Sequence, residues 1–169
     1  GPGAVAPKMV CVTIARPGKI PVLYSNADLG LDEVLRALLA PGHILVGHNV
    51  SYDLGVLAAS YPELEPLIWQ KLLAGEITDT KLREQLLNLS THGKLDMMQM
   101  PDGSTVKIKY SLAVLENRYL GIDRSDQKVG DDQWRMNYHV LDGVRSDQWP
   151  VDACRYALDD AEGTLNVYQ

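Results

Sequence analysis

Residues able to do chemistry gather at two places far apart in the chain. The first is Asn49-Val50-Ser51-Tyr52-Asp53, which follows the apolar run His43-Ile44-Leu45-Val46 and a break at Gly47. The run reads as a buried strand and the segment after it as an amphipathic helix, so Asp53 stands where a helix leaves a sheet edge. A carboxylate held there beside a crevice suits a divalent cation, and it equally complements a helix dipole. The second place is the last helical stretch, where Tyr156 and Asp160 at i and i+4 lie one above the other. Asp160, between Leu158 and Leu165, is expected close to the side that the helix buries, with Asp159 pointing elsewhere. A carboxylate near a buried face needs a partner, and a cation shared with Asp53 would supply one. The plain alternative is an exposed acid among Asp152, Asp159 and Glu162.

The elements that must position these groups follow from periodicity and punctuation. Met9 to Ala15 and Ile20 to Tyr24, joined at Arg16-Pro17-Gly18, predict a hairpin, and its continuous apolar positions predict cover on both faces. Leu31, Val34, Leu35, Leu38 and Leu39 recur at helical spacing until Pro41-Gly42, with Asn26 or Asp28 as the expected cap. After the central strand and helix, Pro62 and Pro66 punctuate a helical piece with Leu67, Ile68, Leu72 and Leu73. Thr78 or Asp79 is then placed to cap a helix whose apolar stripe is Leu82, Leu86, Leu87 and Leu89. Asp96 to Met100, Pro101-Asp102-Gly103 and Ser104 to Lys109 read as a second hairpin with a basic face, Lys107 and Lys109. Ser111 precedes a helix through Leu120 that stops at Gly121. Residues 122–150 are polar with scattered aromatics, either packed irregularly or facing a substrate, and Val151 to Tyr168 forms the last helix, with Ala153, Cys154, Ala157, Leu158, Ala161, Leu165 and Val167 as its buried stripe.

Composition narrows the class. A hydrophobic content of 46% and a charged content of 22% predict one water-soluble α/β domain over residues 1–169. No apolar run approaches the roughly 18 residues that span a bilayer, so no membrane partner is expected. A net charge of -6 weighs against a protein that coats nucleic acid non-specifically. It does not weigh against an enzyme acting on a polyanion through bound metal, because such a site needs clustered carboxylates. Cys11 and Cys154 lie far apart in apolar patterns and read as buried thiols of a reducing compartment. Gly1-Pro2-Gly3 reads as a cleavage scar or a turn.

Asn49 to Asp53 and Tyr156-x-x-x-Asp160 resemble the second and third motifs of the DEDDy exonucleases, the 3′→5′ proofreading domains of family A DNA polymerases. Ile77-Thr78-Asp79-Thr80-Lys81-Leu82, Tyr110-Ser111-Leu112-Ala113 and Trp149-Pro150 resemble further segments of that family in the right order, and the Met-rich hairpin resembles bacteriophage members. The resemblance implies an RNase H-like (DnaQ-like) fold, a mixed central sheet flanked by helices with an inserted β-hairpin. It implies Asp53 and Asp160 as ligands of two Mg²⁺ or Mn²⁺ ions and Tyr156 as the residue that orients the attacking water. It further implies His48, Asn49 and Tyr52 as the lining of a single-strand channel, with Asp79 as a structural cap. The implied reaction is hydrolysis of the 3′-terminal phosphodiester of single-stranded or frayed DNA, with release of a deoxynucleoside 5′-monophosphate, in the cytoplasm of a bacterium or phage-infected cell.

One departure is large. The family's first motif, a D-x-E on the first strand, supplies two of four metal carboxylates, yet no acid precedes Asp28 and the sole D-x-E here is Asp160-Ala161-Glu162. The abrupt onset of the pattern leads to the expectation that the sequence starts just downstream of that motif, and the last helix, still in mid-pattern at Gln169, that a polymerase domain follows. A catalytically silent module that keeps the fold, and at most binds single strands, is the rival reading.

Overall fold

The computed structural model describes residues 6–95, 97–124, 134 and 137–169. The reading of Gly1-Pro2-Gly3, the start of the second hairpin at Asp96, and part of the stretch between Ile122 and Pro150 lie outside the described residues.

Strand β1 (Cys11–Ile14) pairs antiparallel with β2 (Val22–Ser25), Val12 opposite Tyr24 and Thr13 opposite Leu23. Because strand side chains alternate, Val12 and Tyr24 share one face while Cys11 and Leu23 share the other. The first face meets a core of Met9, Leu31, Leu35, Leu39, Leu57, Leu64 and Ile68, and the second meets Leu141, Trp149 and Ala153. The ladder is therefore covered on both sides, as its continuous apolar pattern predicts.

Helix α1 (Leu31–Leu39) buries Leu31, Leu35 and Leu39 and stops at Pro41-Gly42. Its N-cap is Gly30, and neither expected cap serves it. Asp28 instead accepts the amides of Ser25 and Ser146, and Asn26 binds the Met9 carbonyl and the Gly143 amide. Both side chains thereby fasten the segment before the last helix onto the β1–β2 ladder.

Strand β3 (Leu45–Gly47), shorter and less buried than the apolar run suggests, leads into α2 (Val50–Ser60). Helix α3 (Glu65–Leu73), entered through a 3-10 turn at Pro62–Leu64, then crosses back to β4 (Ile77–Asp79). The crossover makes β3 and β4 parallel, with Gly47 opposite Asp79 at their ends. Helix α4 (Thr80–His92) follows, then β5 (Met97–Gln99) antiparallel to β6 (Thr105–Lys107), α5 (Leu112–Leu120) and α6 (Val151–Tyr168).

Two expectations need correction. The described strands form three separate two-stranded ladders instead of one mixed central sheet, because β1 and β3 meet through α6, which packs on both, and not through backbone hydrogen bonds. In α4 the leucines at 82, 86, 87 and 89 are exposed, and Thr80 and Glu84 are the buried residues. Glu84 turns inward because Tyr119 Oη donates to it at 2.5 Å and Arg118 pairs with it, so α4 faces α5 through a polar contact.

Candidate active site

The first turn of α2 is built by a carboxylate from another element. Gly47 fits a tight exit from β3, since a Cβ on it would fall 2.6 Å from Val50 Cβ. Asn49 then adopts φ 67°, the one left-handed non-glycine residue among those described, a conformation that asparagine tolerates better than most. Its side chain makes no capping bond to its own helix. Asp79 caps it instead: Oδ1 accepts the Asn49 amide at 3.1 Å and Oδ2 the Val50 amide at 2.9 Å. Oδ1 also accepts the amides of Lys81 at 2.8 Å and Leu82 at 3.2 Å, so one carboxylate closes the N-termini of α2 and α4 together. Lys81 Nζ donates to Asn49 Oδ1 at 2.9 Å.

Asp53 rides on this turn. The residue is open to water, yet protein atoms crowd its carboxylate, and that desolvation, with the charges of Asp79 and Asp160, pushes its pKa up to about 6. Asp160 therefore stands within electrostatic reach of Asp53. The expectation that Asp160 lies against the buried side of its helix is corrected. Asp160 is exposed and Asp159 half-buried, because α6 packs on β1, β3 and α5 together. Its fully buried positions are Ala153, Ala157, Gly163 and Thr164.

Tyr156 is half-buried, its ring 6.1 Å from that of Tyr138, whose own ring lies 5.8 Å from Trp149. Tyr138 Oη donates to the Ala153 carbonyl at 2.9 Å. Burial, reinforced by the charges of Cys11, Tyr156 and Asp160, pushes the Tyr138 hydroxyl well above its ordinary range. The described part of residues 122–150 is thus packed against the β1–β2 ladder and α6, and Tyr138 is the aromatic support of Tyr156. Cys11 and Cys154, distant in sequence, also come within reach of each other; burial, with the Cys154 charge, pushes the Cys11 thiol up to about 12.

The three proposed strand-lining residues face different surroundings. Tyr52 is 56% exposed. Asn49 is half-buried and held by Lys81. His48 is turned into the protein, Nδ1 lying 2.9 Å from Thr80 Oγ1, and burial holds its pKa below the ordinary histidine value.

A model of a 3′-5′ exonuclease family matches residues 13–169. The chain belongs to that family. The match is consistent with the exonuclease domain of a family A DNA polymerase. No curated protein and no solved structure matches the chain significantly. A 3′-5′ exonuclease acts on nucleic acid, and exonuclease domains of this family generally use divalent metals. Here the like charge of Asp160 helps to disfavour ionisation of Asp53, a repulsion that a divalent cation relieves, so the pair fits a cation. Among the described residues, no group of three or more His, Cys, Asp or Glu side chains could hold a metal ion. Among the described residues, too, no helix is long and apolar enough to cross a membrane.

Asp79 was legible from the sequence as a cap, but only of the helix that it begins. Its second task, and those of Thr80, Lys81 and Tyr138, arise from contacts through space that leave no periodic signal.

Proposed function

We propose that this chain is the metal-dependent 3′-5′ proofreading exonuclease domain of a DNA polymerase, with an RNase H-like fold, acting on single-stranded or frayed DNA 3′ ends to release deoxynucleoside 5′-monophosphates. The observation that carries the reading is that Asp160 of α6 lies within electrostatic reach of Asp53 of α2 in a chain of the exonuclease family. Asp53 and Asp160 contribute carboxylates to the cation site. When bound, Mg²⁺ or Mn²⁺ supplies an activated water and neutralises charge at the leaving 3′ oxygen. Tyr156 orients the water through its hydroxyl, its ring fixed by packing on Tyr138. Exposed Tyr52 offers a face on which an unpaired base stacks, a sequence-tolerant contact worth ~1–3 kcal/mol per base. Asn49 and His48 complete that lining.

The test is cleavage of a 5′-labelled single-stranded oligonucleotide with Mn²⁺ by this chain and by Asp160→Ala. The expected result is a one-nucleotide ladder shrinking from the 3′ end, lost in the variant. Equal ladders from both proteins would remove Asp160 from the chemistry, and no ladder from either would leave a chain short of the D-x-E carboxylates or a silent module, which supplying those carboxylates would separate.

A further inference from the structure

Three consecutive residues at the start of α4, Asp79, Thr80 and Lys81, each grip a different part of the segment that leads from β3 into α2. Asp79 takes the amides of Asn49 and Val50. Thr80 Oγ1 donates to the Gly47 carbonyl at 3.3 Å and lies 2.9 Å from His48 Nδ1. Lys81 Nζ holds Asn49 Oδ1. We infer that Asp79 and Lys81 are positioning residues with separate tasks, Asp79 serving the metal carboxylate Asp53 through the α2 backbone and Lys81 serving the DNA strand through the Asn49 side chain. The inference rests on the exonuclease reading above.

Two observations separate these tasks. Among the described residues, Asp79 hydrogen-bonds backbone amides alone, and besides starting α4 it stabilises the first turn of α2, which sets the direction in which Asp53 projects. The left-handed residue Asn49 is held in place by that same carboxylate, and such a conformation persists only where surrounding structure enforces it. Asp79 also adds its charge to the field at Asp53, favouring a cation there. Lys81 leaves the α2 backbone untouched. It fixes one amide rotamer of Asn49, whose side chain is free for an outside ligand because Asp79 has taken over the capping of α2. A residue serving the fold alone would be expected to affect metal and strand alike.

The experiment measures Mn²⁺ affinity by electron paramagnetic resonance and single-stranded DNA affinity by fluorescence anisotropy, without turnover, for this chain, Asp79→Asn, Lys81→Met and Lys81→Arg, each checked for folding by circular dichroism. Asp79→Asn should lose Mn²⁺ affinity by about 10–100-fold, the usual cost of removing a partner behind a metal ligand, and DNA affinity by much less, through the Asn49 backbone alone. Lys81→Met should lose DNA affinity by about tenfold, the scale of one hydrogen bond to a charged group, and keep Mn²⁺ affinity; Lys81→Arg should recover part of the loss. Equal effects of both variants on both ligands, or none, overturn the division of tasks. If Asp79→Asn does not fold, the Lys81 arm decides alone, and unchanged DNA affinity in Lys81→Met overturns the inference. A wild-type chain that binds no Mn²⁺ overturns the exonuclease reading and this inference with it, whereas wild-type binding left unchanged by Asp79→Asn overturns only the inference.

Discussion

Behind burial and the charge of Asp79, Asp160 in the middle of α6 adds to the raised proton affinity of Asp53 in the first turn of α2. Desolvation is the larger cause and the neighbouring charges add to it, so the native state holds a proton on Asp53 in a range where the unfolded chain has lost it.

The sign of the pH dependence follows. The folded pKa of about 6 exceeds the ordinary 3.8, so between these values the native state binds more protons than the unfolded one. Stability therefore falls as pH rises through that window, and the full penalty remains above about 6. Asp53→Asn should raise the metal-free melting temperature above about pH 6 and flatten its slope across the window. Calorimetry at several pH values, with chelator present, checks this, and a variant no more stable than wild type at neutral pH contradicts it.

Cations should act in the opposite sense. A divalent ion bound between Asp53 and Asp160 competes with the proton, so Mn²⁺ should stabilise the chain above about pH 6 and progressively less below it. At a free concentration of a hundred times Kd the gain is about 2.7 kcal/mol by linkage. Asp53→Asn and Asp160→Asn should each abolish most of it in the same melting experiment, and a shift that survives in both places the cation elsewhere.

How much of this the sequence carried can be seen in α2 and α4. The strand-to-helix switch at Gly47, and hence the place of Asp53, is local information, encoded by an apolar run, a glycine and a new period. That Asp160 needs a partner is local information too, but that the partner is Asp53 had only the order of the family's motifs behind it, since nothing near either residue names the other. In α4 periodicity found the leucine stripe at 82, 86 and 89 but not which side faces the body. That was decided by Glu84, whose partners Arg118 and Tyr119 lie on a different helix. Caps behaved likewise: Asp79 serves its own helix as predicted, while Asp28 and Asn26 are spent on Ser146 and Gly143, contacts long in sequence and invisible to a local rule.

Lys71 supplies a test of stability away from the site. Its side chain is 1% exposed, and Nζ donates to the carbonyls of Ala40 and His43, each at 2.7 Å, and to Glu76 at 3.2 Å. Every ammonium proton is thus used, and the group ties the end of α1 to the loop before β3. Lys71→Met keeps most of the volume but leaves both carbonyls without this donor, so it should cost about 2–4 kcal/mol in urea denaturation. Glu76→Gln should cost less, because Glu76 is partly solvated and the amide oxygen can still accept from one of Lys71 and Gly42, which use different carboxylate oxygens.

Gly163 sets helix propensity against packing in the middle of α6. Alanine there would favour the helix by about 1 kcal/mol in isolation. In the folded chain the new Cβ would collide with the Glu116 carboxylate and lie 3.2 Å from Arg124 Nη2. Glu116 is 1% exposed and paired with Arg124 at 2.5 Å, so it has no solvent to retreat into, and burial already pushes its pKa above the ordinary carboxylate value. Displacing it would weaken the ion pair between Glu116 on α5 and Arg124, whose guanidinium also donates to the Asp159 carbonyl on α6. Overpacking of this kind costs about 1–3 kcal/mol, and the weakened buried pair adds to that, so the steric term outweighs propensity. Gly163→Ala should therefore be destabilising by about 1–3 kcal/mol, and Gly163→Ala combined with Glu116→Ala less so than the two single losses added together. A single variant as stable as wild type in urea denaturation would show that Glu116 moves aside without loss.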